Sequence, residues 1–274
     1  MILSSASYTS FTFWPTGLAV LAYALATMWP QAQTTTDRRS ERPIWVALFL
    51  GWLAQAAAIV LDAVDLNAPI SGARFGFAPA LSVTSWLVLS VYALESRRLG
   101  LPSIRRSLAV LAAVSVVLAW LYPGQPRLVH GSPWAPLHWL TGFAAHGLFG
   151  AALLHGALLG HAEKQLRAPL GHALGMPLLQ LESLTLRFVG AGFVMLSLTL
   201  VLGAWFDAPW HWDHKTVFSL LSWVTFGTLL IGRVRFGWRG RQAVRWIMAG
   251  SLLLLLAYVG SRFVLEVVLH RSAA

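Results

Sequence analysis

The stretch "FVGAGFVMLSLTLVLGAWF", residues Phe188–Phe206, is a continuous apolar run without a single charged residue. An α-helix rises about 1.5 Å per residue, so about 20 apolar residues are enough to cross the hydrocarbon core of a bilayer. Because lipid offers the backbone no hydrogen-bond partners, such a segment has to satisfy its own backbone groups by forming a helix. The stretch therefore predicts a transmembrane helix.

The composition of the whole chain agrees with this stretch. Its 274 residues are 57% hydrophobic and 11% charged, with a mean hydropathy of +0.65, whereas soluble domains carry about 25% charged residues. We predict an all-α, polytopic transmembrane helical bundle that forms a single integral membrane domain over residues 1–274. The predicted spans, about eight in number, are residues 10–29, 43–63, 78–96, 105–122, 137–160, 187–206, 215–232 and 245–268. The connection 163–186 and the sequence "SGARFG" around Arg74 are predicted to be loops.

The basic residues are distributed unevenly among the connections between these spans. Of the 20 Lys and Arg residues, 15 lie in one alternating set of connections and 5 in the other. Connections rich in Lys and Arg stay in the cytoplasm, so both termini are predicted to lie outside. The net charge of +10 is then a signal of topology. No aromatic and basic binding module accompanies it, so nucleic acid is not a predicted partner, whereas the lipid bilayer is.

The connection between the sixth and seventh spans reads "DAPWHWDHKT", Asp207–Thr216. In an extended segment residues two apart share one side, so Trp210 and Trp212 would form one aromatic wall, with polar groups projecting from its rim. Tryptophan also favours the membrane–water interface, and a simple interfacial anchor is the alternative interpretation. A flat aromatic ligand with charged edges, such as heme, suits the wall, because imidazole can bind heme iron and Lys215 can approach an acidic edge.

The motif "WHWDHK", Trp210–Lys215, resembles the WxWDxK signature of the cytochrome c assembly family, the CcsA-like, tryptophan-rich (WWD) heme-handling proteins. It is followed by "SLLSW", ending at Trp223, by "GWRG" at residues 237–240, and by the final segment "AYVGSRFVLEVVLH". The resemblance covers residues 137–270, whereas residues 1–130 resemble the family only as a variable set of spans. Among members of this family, the chain most resembles the small YpjD-like and HemX-like proteins of the inner membrane.

The resemblance implies a loop on the outer face of the bacterial inner membrane that holds heme between two flanking histidines. His138 and His270 match these flanks, and His214 is a rival iron ligand inside the signature. The implied binding residues are His138, Trp205, Trp210, Trp212, Asp213, His214, Lys215 and His270. The chain has no cysteine, so any heme would be a non-covalent, b-type heme. The implied role is to hold or present heme, with cytochrome maturation proteins or other membrane proteins as partners, and no catalysis of its own.

The chain departs from the larger family members in its membrane-embedded histidines. Those members carry a histidine late in the helix after the signature, where this chain reads "LLIGR" with Ile231 and Gly232, and no histidine precedes His130. Heme binding is therefore expected without an obvious relay for heme export. Two alternatives are open: an accessory membrane protein that binds a protein partner without heme, and a small-solute transporter. The second is disfavoured because no span is clearly broken around a charged midplane site.

Overall fold

The computed structural model describes residues 3–29, 38–63, 72–99, 102–128, 134–166, 178–206 and 212–268. Eight long helices account for most of them. Their bounds are α1 Leu3–Met28, α2 Arg38–Ala63, α3 Phe77–Leu99, α4 Pro102–Leu121, α5 Ala135–Leu166, α6 Leu178–Phe206, α7 His214–Phe236 and α8 Gly240–Leu255. The chain continues from α8 through π-helical Leu256–Gly260, one α-helical turn and π-helical Val264–Val268.

The helices have the length and composition that the apolar runs predict. Among the described residues, seven helical segments are long and apolar enough to cross a membrane. They are Arg42–Asp62, Phe77–Leu94, Ile104–Leu121, Ala135–Gly160, Leu179–Trp205, His214–Phe236 and Gly240–Val268. In α1 the described apolar part, Phe13–Met28, is shorter. The prediction of a polytopic helical bundle is confirmed.

Two predicted loops are wrong in part. Helix α6 begins at Leu178, so its first residues lie inside the predicted connection 163–186. Within this part of the helix, the buried carboxylate of Glu182 is paired with a basic partner on α7. The sequence around Arg74 forms strand β1, Gly72–Phe75, which pairs antiparallel with β2, Gln125–Leu128. This pairing is non-local, so neither short segment reveals it alone.

The described helices fall into two compact units. The first contains α1, α2, α4, both strands and the beginning of α3, and the second contains the end of α3 and everything from α5 to Val268. A buried polar network joins helices of the first unit. Tyr23 donates to Gln55 Oε1 at 2.7 Å, and the Gln55 amide lies 3.1–3.2 Å from the hydroxyls of Ser82 and Ser85. Such side-chain hydrogen bonds hold helices together in lipid.

A stacked pair of phenylalanines forms the centre of the second unit. The rings of Phe149 on α5 and Phe226 on α7 are nearly parallel, with their centroids 3.7 Å apart, and both are buried. Two glycines make room for them. A Cβ at Gly192 on α6 would lie 2.9 Å from Phe149, and one at Gly250 on α8 would lie 2.7 Å from Phe226. Helices α5, α6, α7 and α8 therefore pack closely around this pair.

Candidate functional site

His138 lies in the first turn of α5 with its ring against α6. Its Nδ1 is 3.0 Å from the backbone carbonyl oxygen of Thr199. A carbonyl only accepts hydrogen bonds, so Nδ1 carries the proton and Nε2 carries the lone pair. Gly203 lies beside the same ring, where a Cβ would be 3.2 Å from His138 Cε1. The ring edge made of Nδ1 and Cε1 is thus held by the neighbouring helix.

The other two described histidine rings of α5 are held differently. His146 Nδ1 and His155 Nδ1 each lie 2.8 Å from a carbonyl oxygen of their own helix, at Gly142 and Ala151. His155 is fully buried, and its ring is 5.1 Å from that of Phe188. The ring of His146 faces Tyr258, with 6.5 Å between the centroids. These contacts place both histidines in the packing between helices.

A pair of threonine hydroxyls joins α5 to α6 beside His138. The hydroxyl oxygens of Thr199 and Thr141 are 3.0 Å apart. Thr141 donates its one hydroxyl proton to the backbone carbonyl of His138 at 3.0 Å, and the Thr199 hydroxyl donates either to the Thr141 oxygen or to the backbone carbonyl of Met195 at 2.8 Å. The two helices are therefore tied together by polar contacts at the level of the His138 ring.

The signature segment begins α7, and Asp213 caps that helix. Its backbone is extended, and its Oδ1 accepts a hydrogen bond of 2.7 Å from the Thr216 N–H. Partial burial alone would raise the pKa of the Asp213 carboxyl, but the hydrogen bonds from Thr216 and the electrostatic attraction of Lys215 and His214 outweigh it and lower the pKa. Asp213 therefore has a structural role in addition to the ligand-binding role predicted for it. Aspartate is a preferred N-cap residue, so the sequence carried this signal.

The exposed tryptophans of the signature region flank this cap. Trp205, near the end of α6, is 81% exposed, and Trp212 is 72% exposed. His214 and Lys215, in the first turn of α7, are also exposed. Trp210 and His270, two further predicted site residues, lie outside the described residues.

Contacts between α6 and α7 set the relative level of these groups. The Trp223 indole N–H donates to the Ser197 hydroxyl at 2.8 Å. Further along α7, Arg233 meets Glu182, which is earlier on α6, so the two helices run antiparallel. With a rise of about 1.5 Å per residue, Trp205 and Lys215 both lie about 12 Å beyond that contact. His138 packs on α6 between the two levels. The structure thus brings His138, Trp205, Asp213, His214 and Lys215 to one end of the second unit, which we call the histidine end.

An ion pair at the opposite end of the second unit was missed in the sequence. Glu182 on α6 accepts a hydrogen bond of 2.6 Å from Arg233 on α7, and Arg239 Nε lies 3.9 Å from the same oxygen. We call this group, Glu182, Arg233 and Arg239, the arginine end. Glu182 is distant in the sequence from both arginines, and Arg233 and Arg239 belong to different elements, α7 and the start of α8. No spacing rule predicts that the three residues meet.

The "GWRG" motif forms a tight joint at the arginine end. Gly237 has a positive φ of 66°, which ends α7 in the left-handed conformation that glycine adopts without strain. The Trp238 ring then folds back over Gly232, where a Cβ would lie 2.3 Å from the indole, and stacks on Trp246 with 5.3 Å between centroids. This part of the signature is explained by packing.

The fold and the site define the class of the protein. It is a multi-pass helical membrane protein in which histidine and tryptophan side chains gather at one end of a helical unit. Residues 46–269 match the family model described as "Cytochrome C assembly protein", and the chain belongs to this family. The family resemblance predicted from the motifs is confirmed, and the matched residues extend into α2, beyond the region that carries those motifs.

Similar proteins share shorter stretches with the chain. A "Cytochrome c biogenesis protein CcsA" of Prochlorococcus marinus (strain NATL2A) is 33% identical over 86 residues, which are 30% of this chain and 27% of that protein. The protein of the same name from Picosynechococcus sp. is 32% identical over 85 residues, 29% of this chain and 25% of that protein. The chain therefore aligns with only about a quarter of the length of these relatives. No solved structure matches the chain.

Proposed function

We propose that the protein acts in cytochrome c biogenesis and holds a non-covalent, b-type heme at the histidine end. Family membership and relatives named as cytochrome c biogenesis proteins support the biological role. The observation that carries the binding proposal is the contact between His138 and Thr199. Histidines that bind metals usually donate their other ring N–H to a carbonyl or carboxylate, which fixes the tautomer and the ring orientation.

The residues of the histidine end fit this group. Within the part of the chain that the structure describes, no cluster of three or more His, Asp or Glu side chains could hold a bare metal ion. Heme brings nitrogen ligands of its own, so the protein would have to supply few ligands to the iron, and His138 with His214 or His270 would supply them. The exposed indoles of Trp205 and Trp212 offer apolar faces for a porphyrin, with Trp210 beside them in the sequence, and Lys215 offers a positive charge for a propionate.

The role of the protein itself would be to bind heme, to orient it and to present it. Heme is the group that the assembly of cytochromes requires. His138 would hold it through the iron, and the tryptophans would cover its faces and exclude water. We propose no bond-making chemistry for the chain's own residues.

The distribution of charge supports an orientation in the membrane. The arginine end lies close in the sequence to three further basic residues, Arg235, Arg241 and Arg245. By the positive-inside rule, this end of the unit would face the cytoplasm. The histidine end would then face outward in a bacterial inner membrane. Heme held there would be on the side where cytochromes c are assembled.

Difference spectroscopy tests the proposal directly. The chain is overexpressed with and without added heme, purified, and compared as reduced-minus-oxidised spectra. We expect the α and Soret bands of a b-type heme that scale with the amount of purified protein. A heme-supplied protein without these bands would contradict heme binding and favour an accessory role through protein contacts.

A further inference from the structure

We infer that Thr199 and Gly203 on α6, together with Thr141 on α5, are positioning residues that hold His138 in the tautomer and orientation needed for iron binding. The inference rests on the proposed function. It assigns a role to residues outside the tryptophan-rich signature, on the two helices that precede it, α5 and α6. None of the three would touch the ligand, and each would act through the His138 ring.

The first contact is polar and selects the tautomer. The Thr199 carbonyl oxygen, 3.0 Å from Nδ1, accepts the ring proton at that nitrogen. The lone pair is therefore left on Nε2, the nitrogen farther from the backbone. Since the carbonyl belongs to α6, the selection depends on how α5 and α6 pack.

The second contact is steric and sets the tilt of the ring. A Cβ at position 203 would lie 3.2 Å from Cε1, which is tighter than most Cβ contacts, and 3.7 Å from Nδ1, which is an ordinary contact distance. Glycine therefore leaves the ring room to lie against α6 within reach of the Thr199 carbonyl. We expect a larger side chain at this position to displace the ring and lengthen the hydrogen bond.

The third contact keeps the two helices in register. The hydroxyls of Thr141 and Thr199 are 3.0 Å apart, and Thr141 also bonds to the His138 carbonyl. His146 and His155 need no such tie, because their ring protons go to carbonyls of α5 itself. Of these three histidines, His138 is the one whose Nδ1 bonds to a carbonyl of a neighbouring helix.

Substitution of Gly203 offers a graded test with a matched control. Gly203→Ala and Gly203→Val add one and three carbons against the ring, whereas Gly190→Ala and Gly190→Val add the same groups on α6 where nothing lies within 4 Å of a Cβ. Removing support for a metal ligand typically lowers affinity about 10–100-fold. We expect heme affinity to fall by about this factor in the Gly203 series, more for Val than for Ala, while the Gly190 series matches the wild type.

Two further readouts separate positioning from general damage. Nitrogen-15 NMR of histidine-labelled, heme-free protein should show Nδ1 of His138 protonated in the wild type and the Nε2-protonated form appearing in Gly203→Val. The signal is assigned by its loss in His138→Gln. Thr199→Val should shift the heme spectrum and weaken binding, whereas Thr199→Ser, which keeps the hydroxyl, should restore both.

The outcomes distinguish the two levels of the proposal. Wild-type protein that takes up no heme would overturn the proposed function and the positioning role with it. Heme-loaded wild type together with unchanged affinity, spectrum and tautomer in Gly203→Val would overturn the positioning role alone. Equal losses in the Gly203 and Gly190 series would also overturn it, because the effect would then come from α6 as a whole.

Discussion

The carboxylate of Glu182 on α6 accepts a hydrogen bond from the guanidinium of Arg233 on α7, with 2.6 Å between Oε1 and Nη1. The Glu182 side chain is only 10% exposed, so the hydrogen bond from Arg233 replaces contacts with water that the carboxylate loses on burial. The pair joins the two helices at the end opposite His138.

We predict that Glu182→Ala destabilises the protein by about 1.5–3 kcal/mol, the usual contribution of a hydrogen bond to a charged group. The double variant Glu182→Ala with Arg233→Ala should cost less than the sum of the single changes, because the residues interact directly. Unfolding of the purified protein in detergent measures both effects. If the costs are additive, the interaction between the two residues contributes little to stability. Heme content per folded protein should stay unchanged in both single variants and in the double variant.

Asp213 offers a test of structural against ligand-binding roles. Asparagine also caps helices, so Asp213→Asn should keep the stability of α7, whereas Asp213→Ala should cost about 0.5–2 kcal/mol. Because the folded-state pKa is lower than the ordinary value of 3.8, the charge-dependent stabilisation is complete above the unfolded-state pKa and is lost as the pH falls through the folded-state pKa. Thermal unfolding should therefore show no pH dependence due to this group between about pH 6 and 8.

If Asp213 only caps α7, Asp213→Asn should also retain bound heme. Loss of heme from this variant, with its stability unchanged, would show that the negative charge itself is needed at the site.

The tryptophans of the signature are expected to bind the faces of the ligand. We predict that Trp210→Ala with Trp212→Ala removes detectable heme while the protein still accumulates. Each lost aromatic contact contributes about 0.5–1.5 kcal/mol beyond its buried area, and burial adds about 25 cal/mol per Å². Heme per protein is measured by spectroscopy and accumulation by immunoblot.

Trp14→Ala is the matched control for this experiment, because Trp14 is 77% exposed on α1, close to the 72% of Trp212. A Trp210 and Trp212 double variant that keeps its heme would leave these tryptophans as interfacial anchors, the alternative that their position in the sequence already allows.

The orientation in the membrane can be tested with fusions. A reporter that is active only in the cytoplasm should be active after Arg241 and silent after Asp207, because the basic connections are expected inside. The reverse pattern would place the histidine end in the cytoplasm and remove the outward-facing site.

Much of the fold follows from the apolar runs, because helices are the way a single apolar segment satisfies its backbone in lipid. The beginning of α6 does not follow, since Glu182 acquires its partner from α7. The β1–β2 pairing also depends on a contact between distant segments. The π-helical stretches at Leu256–Gly260 and Val264–Val268 have the same apolar composition as an α-helix, yet they rotate the residues beyond them.

The candidate site is also predictable only in part. Counting antiparallel spans predicts that the start of α5 and the loop before α7 share one side of the membrane. The packing of the His138 ring against Thr199 and Gly203 cannot be predicted in this way, because it depends on the rotation of α5 and α6 about their axes. Periodicity within one helix carries no information on which residue of the next helix it meets.

The central claim is that His138 binds the iron of heme, and the most direct measurement is heme per protein in His138→Ala beside His155→Ala. Both variants remove an imidazole from α5, but His155 is buried in the packing against Phe188. We predict that the wild type and His155→Ala carry heme and that His138→Ala loses at least about tenfold in affinity, with all three proteins accumulating in the membrane. Heme content in His138→Ala equal to that of the wild type would contradict the claim, and its loss in His214→Ala instead would assign the ligand to His214.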